Sequence, residues 1–192
     1  MSGLSERHLA MFASGAYESP DIAHNIAKEV GNDWGIDRDL TNQHSTVYRN
    51  ENTKHTVVSF RGTKDRNDLK TDSLLFLGLL GKSQRVKDAN ALTEKIISKY
   101  GKDNLELASH SLGANIGSSV SKKTGIPTTS FSKGKTLLQS KNAANEKVIR
   151  NVLDPFSGNA IIPSAFSLPN LLIGGTGRLP KSINPHSLNN FI

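Results

Sequence analysis

The stretch that most constrains this chain is 105–125. Leu105-Glu106-Leu107-Ala108 reads as a short apolar strand, Ser109-His110-Ser111 as a tight turn, and 112–123 as a Gly- and Ser-rich helix stopped by Gly125. A strand that gives way at once to a helix leaves its sheet at the C-terminal edge and returns by a crossover. Strand-like runs at 126–131 and 147–153, with a helix expected over 135–145, continue the alternation. The order strand, helix, strand, helix, strand predicts an α/β domain whose mostly parallel central sheet is joined by crossover helices.

Upstream segments extend that layout. Helices are expected at 5–14 and 21–30, the second capped by Asp21, carrying Ile22, Ile26 and Val30 on one face and ended by Gly31. Runs at 45–49 and 56–60 flank a polar loop and read as paired strands. Across 84–100, Val86, Ala89, Leu92, Ile96 and Tyr100 recur at helical spacing, and Gly101 follows as a stop. With 192 residues and roughly 150 per domain, a single domain over 1–192 is expected, its N-terminal helical part being 1–43. Beyond Asp154 five prolines break the chain, and 160–175 is apolar without a period, which suits a cover over a site better than a core helix.

Composition removes several functional classes. Without cysteine there are no disulfides, thiolate nucleophiles or cysteine-bound metals. No H-E-x-x-H or similar spacing suggests a metal site, and no cofactor is expected. The longest apolar run, 74–80, is far short of the roughly 18 residues a spanning helix needs. Glu6, Arg7 and His8 interrupt the place where a signal peptide would need an apolar core, so a soluble chain of unknown location is expected. The net charge is +7, and residues 113–192 carry 9 basic against 2 acidic side chains. That surplus is either plain solubility charge or a means of peripheral contact with an anionic membrane surface or acidic partner. Aromatics make up 6% and nowhere interleave with basic residues, so nucleic acid is not an expected partner.

The turn at Ser111 is where chemistry is expected. A sharp strand-to-helix turn pushes a hydroxyl out of the sheet at a helix N-terminus, provided that the residues two before and two after are small; here they are Ser109 and Gly113. The alternative is an ordinary helix N-cap. A second Ser-x-Gly, Ser132-Lys133-Gly134, lacks a comparable helix behind it.

Four segments in order, Val57-Val58-Ser59-Phe60-Arg61-Gly62-Thr63, Ser109-His110-Ser111-Leu112-Gly113-Ala114, Asn151-Val152-Leu153-Asp154-Pro155 and His186, resemble the signature of the class 3 lipase family. The resemblance runs from about Val57 to the C-terminus. It implies a compact α/β-hydrolase domain acting on lipid or other esters, as a triacylglycerol lipase or phospholipase. A serine hydroxyl needs a base to take its proton, and imidazole titrates near neutrality. The order of the triad in this fold is Ser, Asp or Glu, His. His186 is the only histidine after Ser111, and Glu146 and Asp154 are the only carboxylates between them. Asp154, at a strand's C-terminal end, is the better orienting group for His186. The Leu112 N–H is expected to donate to the oxyanion, and by resemblance Thr63 supplies the second donor, with Gly62 allowing close approach. Segment 64–73 or 74–80 could form a lid, and 160–175 could line an acyl pocket. Ser109 departs from the family's usual glycine, and His110 is expected to be structural. A catalytically silent hydrolase fold that binds anionic lipid or a protein partner is the alternative; a peptidase or thioesterase would use the same three groups.

Overall fold

The computed structural model describes residues 4–62, 84–134, 142–150, 188, 191 and 192. In chain order these form α1 (Glu6–Gly15), α2 (Pro20–Val30), β1 (Trp34–Ile36), β2 (Ser45–Asn50), β3 (Thr56–Phe60), α3 (Gln84–Tyr100), β4 (Leu105–His110), α4 (Leu112–Thr124), β5 (Thr128–Phe131) and β6 (Glu146–Ile149). The six strands lie side by side in sequence order. β1 to β2 and β2 to β3 are antiparallel, whereas β3 to β4, β4 to β5 and β5 to β6 are parallel. The expected α/β architecture is therefore present, with the parallel half carrying the turn at Ser111.

Strand periodicity divides the core between two faces. Tyr48, Val57, Ala108 and Phe131 pack with Leu9, Phe12 and Ala13 of α1 and with Ala23 and Ala27 of α2. Their neighbours Val47, Val58 and Leu107 point the other way, to Val86, Ala89, Leu92 and Ile96 of α3 and Ile116 and Val120 of α4. Helices thus cover both faces of a sheet whose central strands are apolar on each side.

Local details refine the sequence reading. The cap of α2 is Ser19, whose hydroxyl accepts from Ile22 N, and Pro20 opens the first turn where its missing N–H costs nothing. The buried face of α2 is Ala23 and Ala27, while Ile22 is 47% exposed. Small side chains let this helix settle close to the sheet. β1 was not expected from sequence. Its three residues hold their place through the register Trp34 opposite Asn50 and Ile36 opposite Tyr48. Of the helix expected over 135–145, residues 135–141 lie outside the described residues, and 142–145 are not helical but lead through a turn into β6.

Candidate active site

Ser111 follows the last residue of β4 and has φ 56° and ψ −124°. A non-glycine residue in this region costs about 1–3 kcal/mol and persists only where its surroundings fix it. The fixing contacts are on both sides. Ser111 N–H donates to the Phe131 carbonyl at 3.0 Å, and the Ser111 carbonyl accepts from Ala114 N at 3.1 Å. Ser111 makes no side-chain capping bond to α4, and its φ is not that of an N-cap, so the ordinary N-cap reading fails on geometry.

The small residues around the turn are required by contact. A Cβ on Gly113 would stand 1.9 Å from the Phe60 carbonyl oxygen, so α4 crosses directly against the end of β3. The register of β3 with β4 runs from Thr56 to Val58, and beyond it the Ser109 hydroxyl accepts the Phe60 N–H at 3.0 Å. The departure from glycine at position 109 thus has a use: it continues the tie between the two strands where the ladder stops.

The segment leaving β3 reaches the same place. A Cβ at Gly62 would lie 3.4 Å from Leu112 N, 3.2 Å from the His110 carbonyl and 2.5 Å from the Tyr17 hydroxyl. Tyr17, after the end of α1, joins these parts. Its oxygen accepts from Gly62 N at 2.9 Å and lies 3.1 Å from His110 Nδ1. Burial pushes the Tyr17 phenol up to about 12, against the opposing pull of the Gly62 N–H, Arg85 and Arg61, so it keeps a proton to donate. Arg85, in the first turn of α3, donates from Nη2 to the Arg61 carbonyl and holds the loop from the other side. Sequence reasoning missed both residues. Tyr17 meets His110 across 93 positions, and nothing local in either segment marks the pairing.

Of the expected site residues, Ser111 and Leu112 lie at the turn between β4 and α4. Thr63, directly after Gly62, lies outside the described residues, as do Asp154, His186 and the segments 64–73, 74–80 and 160–175. Glu146 is committed elsewhere. It accepts from Lys133 Nζ at 2.8 Å, Ser130 Oγ at 2.7 Å, Ser118 Oγ at 2.7 Å and Ala143 N at 2.9 Å. Burial works against its charge, but these donors outweigh it and hold the carboxyl below its usual range. Among the described residues there is no cluster of three or more His, Asp or Glu able to hold a metal, and no helix long and apolar enough to cross a membrane.

A strained serine between a parallel strand and a helix, beside a glycine that approaches the following amide, defines a domain of the α/β-hydrolase fold. Solved structures carry the same architecture. The Rhizomucor miehei lipase in its native propeptide complex matches with a TM-score of 0.55 and 14% identity over 84% of this chain and 64% of that one. A mutant of MDLA from Penicillium cyclopium matches with a TM-score of 0.56 and 15% identity over 79% and 72%. A deletion mutant of the Rhizomucor miehei lipase complex matches with a TM-score of 0.51, and this chain spans 51% of its length. No curated protein matches the sequence. The chain belongs to the Tle-like phospholipase domain family, whose model matches residues 9–151. The lipase resemblance read from the four segments therefore holds at the level of family and fold. The match stops short of Asp154 and His186.

Proposed function

We propose that this protein is a serine carboxylic ester hydrolase of the lipase or phospholipase type. The observation that carries the reading is the backbone of Ser111, whose strained φ and ψ serve no side-chain cap of α4 and lie at the turn from the C-terminal end of β4 into that helix. Ser111 Oγ attacks the ester carbonyl while His186 takes its proton, and Asp154 orients the imidazole and stabilises its charged form. The tetrahedral oxyanion accepts from the Leu112 N–H and from Thr63. His186 then returns the proton to the departing alcohol, and water repeats the sequence on the acyl-enzyme.

Two described features favour these partners. Asp154 is four residues beyond Arg150, after a strand that runs parallel to β4 and so ends on the same edge. His186 is two residues before Leu188, which is buried in the core with Ala108 and Phe131. Lipid is the favoured substrate on family membership. Ser111→Ala is expected to lower hydrolysis of short-chain nitrophenyl esters by about 10⁴-fold or more and to remove labelling by a fluorophosphonate. Turnover retained by a folded variant rejects the assignment.

A further inference from the structure

The peptide unit between Arg61 and Gly62 is held at both of its polar atoms. Its carbonyl accepts from Arg85 Nη2, and its N–H donates to Tyr17 Oη at 2.9 Å. The two partners come from opposite faces of the sheet, Arg85 from the first turn of α3 and Tyr17 from just after α1. The preceding peptide is tied as well, its Arg61 N–H donating to the His44 carbonyl at 2.9 Å. Tyr17 keeps its proton, and its oxygen lies 3.1 Å from His110 Nδ1. Hydrogen bonds therefore run one way, from the Arg85 cation through the peptide to Tyr17 and on to the residue before Ser111. Bonds aligned in this way polarise one another, so a cation at the head makes the Gly62 N–H a stronger donor. Little else accounts for a cation at this point. A positive charge in a helix's first turn opposes the macrodipole, and both burial and the nearby Arg61 work against its charge. Among the described residues no carboxylate bonds Arg85, and its Nε is buried without a hydrogen-bond partner.

We propose that Arg85 is a positioning residue for the acyl-transfer step: with Tyr17 it fixes the plane of the Arg61–Gly62 peptide, and through Gly62 it sets how the segment leaving β3 faces the Leu112 N–H. The path to the turn at Ser111 is short. A Cβ at Gly62 would lie 3.4 Å from Leu112 N and 3.2 Å from the His110 carbonyl, so a rotation of this peptide moves the chain against, or away from, the amide expected to receive the oxyanion. Small displacements of such a donor are costly to rate, because its stabilisation of developing charge depends on preorganised geometry. Neither Arg85 nor Tyr17 needs to touch the ester. The reaction served is that of the hydrolase reading above, on which this role rests; the clamp itself stands on the described contacts.

Arg85→Met keeps the stem of the side chain and removes its donors. On a short-chain nitrophenyl ester it should lower kcat about tenfold with KM within about twofold, and Arg85→Lys, which keeps a cationic donor, should recover part of the loss. Because the cation removed has no counter-charge, the thermal midpoint of Arg85→Met should stay near that of wild type, which a purely structural role would not give. Arg85→Gln is the second variant if Arg85→Met unfolds. Combined with Tyr17→Phe, the loss should fall well short of the about hundredfold that independent sites would give, since both side chains act on one peptide. Hydrogen exchange of the Gly62 amide, followed by NMR on the whole chain without substrate, should be faster in Arg85→Met than in wild type. A folded Arg85→Met protein with unchanged kcat, or with unchanged Gly62 exchange, overturns the proposal, and so does a full hundredfold loss in the double variant. If wild type shows no Ser111-dependent turnover the hydrolase reading fails, and the Gly62 exchange alone decides the clamp.

Discussion

At the scale of single residues, the site depends on side chains that touch no bond of a substrate. Tyr17 accepts the Gly62 N–H and faces His110, so one hydroxyl spaces the loop of β3 from the end of β4, the two segments that would flank an oxyanion. Tyr17→Phe keeps the ring and its edge contact with His110 but frees the Gly62 amide. It is expected to lower kcat about tenfold with KM within about twofold, and to cost about 1 kcal/mol of stability. Steady-state kinetics beside a urea melt check this, and a raised KM with kcat unchanged would assign Tyr17 to substrate binding instead. Ser111 was legible because its backbone demand leaves a mark in the small residues around it. Tyr17 and the Ser109 hydroxyl were not, since an aromatic after a helix and a serine in a strand carry no label for a partner far away in sequence.

At the scale of elements, two polar clusters hold strands to their neighbours. Lys133, after β5, reaches Glu146 at the start of β6, and both side chains are almost fully enclosed at 5% and 0% exposure. Glu146→Gln leaves the ammonium without its counter-charge and should cost about 3–5 kcal/mol, whereas Glu146→Leu paired with Lys133→Met should cost much less or nothing. Chemical denaturation of the three proteins checks the order. The other cluster ties the turn after β1 to α3. Asp37 accepts from Tyr100 Oη at 2.6 Å, Lys99 Nζ at 2.7 Å and the backbone of Asp39 and Leu40. Burial opposes its charge, but bonds from Lys99, Tyr100 and Leu40 win, so the carboxyl titrates below its usual value. A depressed carboxylate adds stability that is complete above the unfolded value of about 4 and is lost as pH falls through the folded one. Asp37→Asn should therefore cost about 1–2 kcal/mol at pH 7, mostly through Tyr100 and the backbone donors because the exposed Lys99 is screened by solvent. The gap to wild type should close in acid melts, and a gap constant with pH would contradict it. The order of parallel strands and helices was readable because 84–100 and 105–131 repeat their periods cleanly. β1 and the 142–145 turn were not readable, because three residues carry no period and pairing with β2 alone makes Trp34–Ile36 a strand. Nothing local in the sequence marks Lys133 and Glu146 as partners, since the pairing exists only where the fold closes over them.

On the scale of the whole molecule, the chemistry asks for parts of the chain that begin far apart to arrive at one sheet edge. The family model ends at residue 151 and the triad proposed here closes at His186, so the return of the last segment is the step on which activity turns. Two contacts describe that return: Leu188 is 7% exposed within the core on the α1 and α2 face, and the Phe191 ring lies 5.4 Å from that of Phe131. Phe131 is also the residue whose carbonyl fixes the Ser111 N–H, so the tail and Ser111 share one strand end. Leu188→Ala should cost about 2 kcal/mol, the low end for a buried leucine, and on the proposed mechanism should also lower kcat and the rate of fluorophosphonate labelling, since Leu188 is two residues from His186, the proposed base. Ile96→Ala separates the two effects. Ile96 is fully buried on the opposite face against α4, and its truncation should cost as much stability or more while the folded protein keeps near-normal turnover. Both variants can be assayed well below their unfolding temperatures, with the folded fraction fixed by circular dichroism. A Leu188→Ala protein that labels and turns over like wild type would separate the tail from the nucleophile and remove His186 from the proposed mechanism.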